Sequence, residues 1–79
     1  MAEEMFRDLG YECFKRPLLI RYHANYERAM DENPKDICFS SSSRTFYAQR
    51  DFNLMDINMR EFKAIQKQIR ELGWLKKED

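Results

Sequence analysis

The sequence predicts a single α+β domain: a short N-terminal helix, a three- to four-stranded antiparallel sheet, and a C-terminal amphipathic helix packed on one sheet face. The chain has 79 residues, enough for one hydrophobic core but too few for two, so residues 1–79 form one domain. Apolar residues recur at helical spacing near the C-terminus and at a period of two in the middle. Only two glycines and two prolines interrupt these patterns.

A short helix is predicted before residue 10. Met5 and Leu9 lie four residues apart, and Gly10 is placed to end the helix. Tyr11 follows this glycine as Trp74 follows Gly73 later in the chain. We interpret this similarity as two helices that end with the same glycine motif, and not as a sequence repeat, because the segments before the two glycines share no pattern.

The next segments predict two strands and a loop. Residues 11–15 and 18–26 are candidate strands, with Pro17 at the turn between them because proline cannot donate to a central ladder. The second strand is the clearer one, since alternate residues are apolar, as expected for one buried face; these are Leu18, Ile20, Tyr22, Ala24 and Tyr26. The polar residues 31–36 contain Asn33-Pro34 and predict a loop that ends at Asp36.

Two further strands are predicted at residues 37–40 and 45–49. The serine-rich segment from Ser41 to Arg44 reads as the hairpin loop between them. Residues 50–56 must then cross from the sheet to the last helix, with Phe52 and Leu54 tucked beneath the crossing.

The C-terminal helix is predicted from residue 59 to residue 72. Asn58 and Glu61 have capping-box spacing at its start. Gly73 is the predicted left-handed residue after its end, and Trp74 is placed to fold back on Ile69. The apolar stripe that should face the sheet recurs at intervals of three and four residues; it comprises Phe62, Ile65, Ile69 and Leu72.

Charge and composition narrow the function classes. Fourteen basic residues balance fourteen acidic ones, so no net field gathers nucleic acid or anionic lipid. No window approaches the roughly 18 apolar residues of a membrane span, and the acidic N-terminus is unlike a signal peptide. We therefore expect a cytoplasmic protein that does not bind membranes.

Chemistry-bearing motifs are scarce. Cys13, Cys38 and His23 are too few for a zinc site, and the cysteines are expected to be free thiols in a reducing compartment. No phosphate-binding glycine motif or nucleophile elbow occurs. We predict no catalytic, metal-binding or cofactor-binding residues and no enzymatic activity. A pocket that held His23 beside a carboxylate would reopen that question.

The aromatic residues allow two interpretations. Six phenylalanines, four tyrosines and one tryptophan are many for so small a core. The favoured interpretation is that they fill a two-layer core, with the tyrosine hydroxyls at its rim. The alternative puts Tyr22, Tyr26 and Tyr47 on the open sheet face as an interface, where with Arg21 they could also stack on bases.

A basic stripe also allows two interpretations. Its four residues fall within roughly 80 degrees on a helix wheel at about 100 degrees per residue; they are Arg60, Lys63, Lys67 and Arg70. The favoured interpretation is an ordinary solvated helix face. The alternative is a contact for nucleic acid or for an acidic protein partner.

The C-terminal helix and its flanking residues resemble a known group of proteins. The matching residues are Asp56-Ile57-Asn58-Met59, Glu61-Phe62, Ala64-Ile65, Gln68 and Glu71-Leu72-Gly73-Trp74. They resemble the ending of small uncharacterised proteins encoded in phages and prophages of low-GC Gram-positive bacteria. Leu9-Gly10-Tyr11 and Phe46-Tyr47 fit the same layout. The resemblance implies a phage origin and a sheet-plus-helix fold, and it carries over no catalytic residue.

These observations lead to a functional prediction. We expect a non-enzymatic phage accessory protein that binds a host or phage protein in the bacterial cytoplasm, with nucleic-acid binding through the basic stripe as the alternative. A homodimer is favoured over a monomer, because so short a chain buries only about 60 to 65% of its unfolded surface. The strand at residues 45–49 has no proline or inward charge and offers an edge for pairing.

Overall fold

The computed structural model describes residues 1–24, 34–50 and 53–75, with the backbone alone for residues 53 and 54. In chain order the elements are α1 (Ala2–Asp8), β1 (Glu12–Arg16), β2 (Leu19–Ala24), β3 (Lys35–Ser40), β4 (Thr45–Arg50), β5 (Asn53–Leu54) and α2 (Met59–Leu72). The predicted α+β class and the order helix, strands, helix are confirmed.

The five strands form one antiparallel sheet in the order β1-β2-β3-β4-β5, so every strand lies beside its neighbours in sequence. The four longer strands match the predicted three to four. The two-residue β5 is an addition that sequence analysis did not identify; it pairs Leu54 with Gln49 and Asn53 with Arg50.

Both helices contribute to a core on one side of the sheet. The ring of Phe6 from α1 stacks on Tyr22 of β2 with 3.9 Å between centroids, and both side chains are fully buried. Phe39 of β3 meets both rings edge-on. Ala64 and Ile65 of α2 complete this buried cluster. Four aromatics thus fill the core, which confirms the favoured interpretation only in part, because the Tyr11 and Tyr22 hydroxyls are buried rather than at the rim. Four others are exposed; they are Phe14, Phe46, Tyr47 and Phe62.

The two helices end in the same way, as their sequences predict. Gly73 adopts a left-handed φ of 74°, and the Trp74 amide donates to the Ile69 carbonyl at 3.2 Å. Gly10 has a φ of 96°, and the Tyr11 amide donates to the Phe6 carbonyl at 3.0 Å. Both are Schellman endings, in which glycine takes the conformation that a side chain disfavours.

The buried face of α2 differs from the predicted stripe. Its buried residues are Glu61, Ala64, Ile65 and Gln68, whereas Phe62 is 44% exposed. The buried face is rotated because Glu61 and Gln68 lie against the sheet side, where they accept hydrogen bonds from the hydroxyls of Tyr11 and Tyr22. A periodicity based on apolar residues cannot include such buried polar residues.

Other boundaries were also misplaced. Leu18, predicted on the buried face, lies in the β1–β2 turn and is exposed. Asp36, predicted at the end of a loop, lies inside β3, which begins at Lys35. Phe52 lies outside the described residues.

In the part of the chain that the structure describes, no helix is long and apolar enough to cross a membrane.

Candidate functional site

The face of the sheet opposite the helices is the first candidate surface. Strand register places Phe14, Arg21, Cys38 and Tyr47 in one row across β1 to β4. The adjacent row contains Glu12, His23, Asp36 and Gln49. Because side chains alternate between the two faces of a strand, these rows lie on the side away from buried Tyr22 and Ile37. We call this surface the open face.

A charged cluster lies at the centre of the open face. Arg21 Nε donates to Asp36 Oδ1 at 2.7 Å, and His23 Nδ1 lies 2.9 Å from the same oxygen. The hydrogen bond to Asp36 is the main reason that the pKa of Arg21 is raised. Two basic groups from β2 therefore share one carboxylate from β3.

Aromatic rings flank this cluster on both sides. Phe14 is 46% exposed, and the Arg21 guanidinium lies 5.9 Å from its ring centroid, within cation–π range. Tyr47 is 55% exposed. Its hydroxyl hydrogen-bonds the buried Cys38 thiol, and this bond is the main cause of its raised pKa. Sequence analysis named Tyr47 as an interface residue but did not identify Phe14.

Tyr22 is not on the open face, so the alternative interpretation is wrong for this residue. Its side chain is 1% exposed and points to the helix side, where its hydroxyl donates to Gln68. Burial is the main cause of its raised pKa. Alternation placed Tyr22 on the apolar face of β2, and this is the face that the helices cover. Tyr26, the third predicted interface residue, lies outside the described residues.

A buried carboxylate lies on the helix side of the sheet. Glu61 is 3% exposed. Its carboxylate accepts one hydrogen bond from the Tyr11 hydroxyl at 2.7 Å and another from the backbone N–H of Asn58 at 3.0 Å. The Lys35 ammonium lies 3.5 Å away. The Asn58 contact is the predicted capping box, now seen in both directions. The site is enclosed by its own partners, so we assign it a structural role.

The basic stripe of α2 is the second candidate surface. Its four residues, Arg60, Lys63, Lys67 and Arg70, are all exposed. Arg60 and Lys63 also border a cavity of about 290 Å³ between the two helices, together with Met5, Asp8 and Leu9 of the α1 segment. The stripe is therefore exposed to solvent, as both interpretations require, and an apolar groove adjoins one end of it.

His23 is the described residue that bears most directly on catalysis. It lies beside the Asp36 carboxylate, but it does not line either of two cavities in the described part of the chain. The larger, about 330 Å³, has a polar lining of Glu3, Arg7, Tyr11, Glu12 and Cys13. Burial is the main cause of the raised pKa of the Cys13 thiol. Within residues 1–24, 34–50 and 53–75, no three His, Cys, Asp or Glu residues form a group that could hold a metal ion.

The chain was compared with protein-family models, with curated proteins and with solved structures, and none of the three comparisons found a match. The resemblance to phage proteins therefore stays a prediction. Function must be argued from the two surfaces alone.

Proposed function

We propose that the protein is a non-enzymatic binding protein and that it binds another protein through the open face. The observation that carries this proposal is the pair of exposed aromatics, Phe14 and Tyr47, at the two ends of one row of side chains with Arg21 between them. Across four adjacent strands, the backbones of these two residues lie about 14 Å apart, at roughly 4.8 Å per strand. Aromatic residues and arginine dominate the energetics of protein interfaces.

Charge favours a protein over a nucleic acid on this face. Binding to phosphates needs cations that are free to neutralise them. Here Arg21 and His23 already share the Asp36 carboxylate, and Glu12 adds a second acid to the same row. A row of mixed charge between two aromatic rings matches the polar rim and aromatic anchors of a protein interface.

We further propose that the partner is a host or phage protein and that binding takes place in the cytoplasm of an infected or lysogenic bacterium. Support for this part comes from the sequence resemblance of residues 56–74. The experiment below therefore uses lysate from the cells that encode the protein.

The test is capture from that lysate with three baits. The first is the wild type, the second carries Phe14→Ala and Tyr47→Ala, and the third carries Met59→Ala as a matched control, because Met59 is also a large exposed apolar residue but lies on α2. We expect a protein that the wild type and Met59→Ala enrich equally and that the double variant loses at least about tenfold, equivalent to 1.4 kcal/mol.

Amide hydrogen exchange on the complex then locates the contact. Protection should appear in β1 to β4 and leave the exposed side of α2 unchanged. Enrichment of no protein over several growth states, or equal enrichment by all three baits, would contradict the proposal.

The second candidate function is nucleic-acid binding through the basic stripe. The specific observation in its favour is that all four cations of the stripe are exposed on one side of α2. It predicts binding that weakens steeply with salt, with a smaller salt slope after Lys63→Gln and Lys67→Gln. The control variant, Lys15→Gln with Arg16→Gln, removes two exposed charges from β1. Unchanged fluorescence anisotropy of DNA and RNA oligonucleotides at low salt would exclude this function.

A further inference from the structure

In the described residues, the outer edge of β4 is paired at only two of its six positions. On this side of β4, β5 pairs with Gln49 and Arg50. Among the described residues, no strand pairs with the outer edge of Thr45–Ala48. This stretch contains no charged residue and no proline, the two features that most often protect an exposed strand edge from pairing with another chain.

The opposite edge of the sheet is protected. β1 carries Glu12, Lys15 and Arg16 within five residues. Lys15 also forms an ion pair with Glu3 of α1 at 3.2 Å, and this contact raises the pKa of the lysine. A second strand that approached β1 would meet these charges, whereas one that approached Thr45–Ala48 would meet no charged residue in that stretch.

The hydrophobic core reaches the surface beside the open stretch Thr45–Ala48. Phe46 is on the helix side and is 44% exposed, and its ring stacks on buried Phe39 at 5.6 Å. Trp74 contacts the same Phe39 ring at 6.2 Å, and Leu75 after it is exposed. On the other side of the strand, Tyr47 is exposed as well. Apolar surface therefore flanks the unpaired backbone on both sides of the sheet.

We propose that two copies of the chain join along this edge, β4 against β4 in antiparallel orientation, to form one continuous sheet. Backbone hydrogen bonds and the burial of two Phe46 rings stabilise the contact. The proposal goes beyond the proposed function and does not depend on what the open face binds. Joining the sheets would also set two open faces side by side.

The alternation of side chains restricts the register. Facing residues of paired strands lie on the same side of the sheet. The two-fold axis between the copies must therefore lie where a residue faces the same residue of the second copy. The two central residues of the open stretch, Phe46 and Tyr47, are the candidates. A contact centred on Tyr47 would set Thr45 against Gln49, whose outer edge is already paired with Leu54. The register centred on Phe46 uses the open stretch instead, with Phe46 facing Phe46 and Thr45 facing Tyr47 of the second copy.

Analytical ultracentrifugation over roughly 5 to 500 µM tests the pairing, because a contact of so few residues is smaller than a standard interface and must depend on concentration. We expect the wild-type mass to rise towards two chains and Phe46→Lys to stay at one chain. Phe14→Lys is the matched control, since Phe14 has nearly the same exposure and lies on the opposite edge strand. It should dimerise like the wild type.

Circular dichroism melts confirm that each variant folds, and Tyr47→Lys replaces Phe46→Lys if the latter does not fold. A wild-type mass of one chain at every concentration would overturn the proposal. Equal loss of the dimer in Phe46→Lys and Phe14→Lys would also overturn it, because it would put the contact elsewhere.

Disulfide trapping tests the register. In a background of Cys13→Ser and Cys38→Ser, Phe46→Cys should cross-link under mild oxidation because position 46 faces itself across the axis. Thr45→Cys should not, because it faces position 47. Cross-linking of Thr45→Cys but not of Phe46→Cys would overturn the register.

Discussion

The two faces of the sheet use the same kinds of polar groups in opposite ways. On the helix side, Glu61 and Gln68 are buried and accept hydrogen bonds from Tyr11 and Tyr22. On the open face, Asp36 pairs with Arg21 and His23 at similar distances, but water reaches these side chains. Removing one partner of a buried hydrogen bond on the helix side should lower the free energy of unfolding strongly, because the remaining polar group is left desolvated.

The comparison indicates which groups serve folding and which are available for binding. An exposed ion pair contributes little to stability, about 0 to 1 kcal/mol, so evolution can alter the open face with little effect on the fold. Matched substitutions on the two faces should therefore differ in how much they lower the free energy of unfolding.

The largest difference is expected between two phenylalanines. Phe39 is fully buried on the helix side, whereas Phe14 is nearly half exposed on the open face. Phe39→Ala should lower the free energy of unfolding by about 3 to 5 kcal/mol, because it removes a large core side chain and leaves a cavity. Phe14→Ala should lower it by less than about 1 kcal/mol. Urea denaturation measures both, and equal losses would contradict the assignment of the faces.

A second difference is expected between two carboxylates. Glu61→Ala should lower the free energy of unfolding by about 3 kcal/mol, because the buried Tyr11 hydroxyl loses its acceptor and the Lys35 ammonium loses a nearby carboxylate. Asp36→Ala is the control on the open face and should cost less than about 1 kcal/mol. If Asp36→Ala proved the more damaging substitution, the open-face cluster would be structural rather than available for binding.

A third difference concerns pH. Burial raises the pKa of Tyr22 above its ordinary value of 10, so the folded protein retains this proton while the unfolded chain releases it. Because the unfolded state then binds fewer protons, the free energy of unfolding should fall as pH rises above about 10. In denaturation series between pH 8 and 11, Tyr22→Phe should show a shallower fall than the wild type. Parallel curves would contradict the assigned role of burial.

The smallest expected effect is the coupling between Arg21 and Asp36. A double-mutant cycle with Arg21→Ala and Asp36→Ala should give about 0.5 kcal/mol, because the arginine side chain is nearly half exposed and water screens the pair. Added salt near 1 M should reduce this coupling further. A coupling above about 2 kcal/mol would show that the cluster behaves as a buried network.

Sequence reasoning predicted the parts of the fold that depend on neighbouring residues. The bounds of α2, its Asn58–Glu61 capping box and both glycine endings are set by local hydrogen bonds, and all are confirmed. Alternation also grouped Tyr22 with the apolar residues of a buried face, and Tyr22 is buried, so only the alternative that put it on the open face is wrong. Phe14 was not identified, because alternation alone does not show whether an apolar residue of an edge strand is exposed. The pairing of Asp36 with Arg21 depends on strand register, which a single sequence does not specify.

The order of the strands has a consequence for folding kinetics. Because each strand pairs with its neighbour in sequence, the sheet can form from hairpins that close short loops, and such local topologies fold quickly. Contacts between distant parts of the chain occur where the helices meet the rest of the structure. The Ala2 amide donates to Glu71 at 2.8 Å, and Tyr11 reaches Glu61. We therefore expect closure of the α1–α2 contact to be the step with the largest loss of chain entropy, and stabilising it in the transition state should accelerate folding.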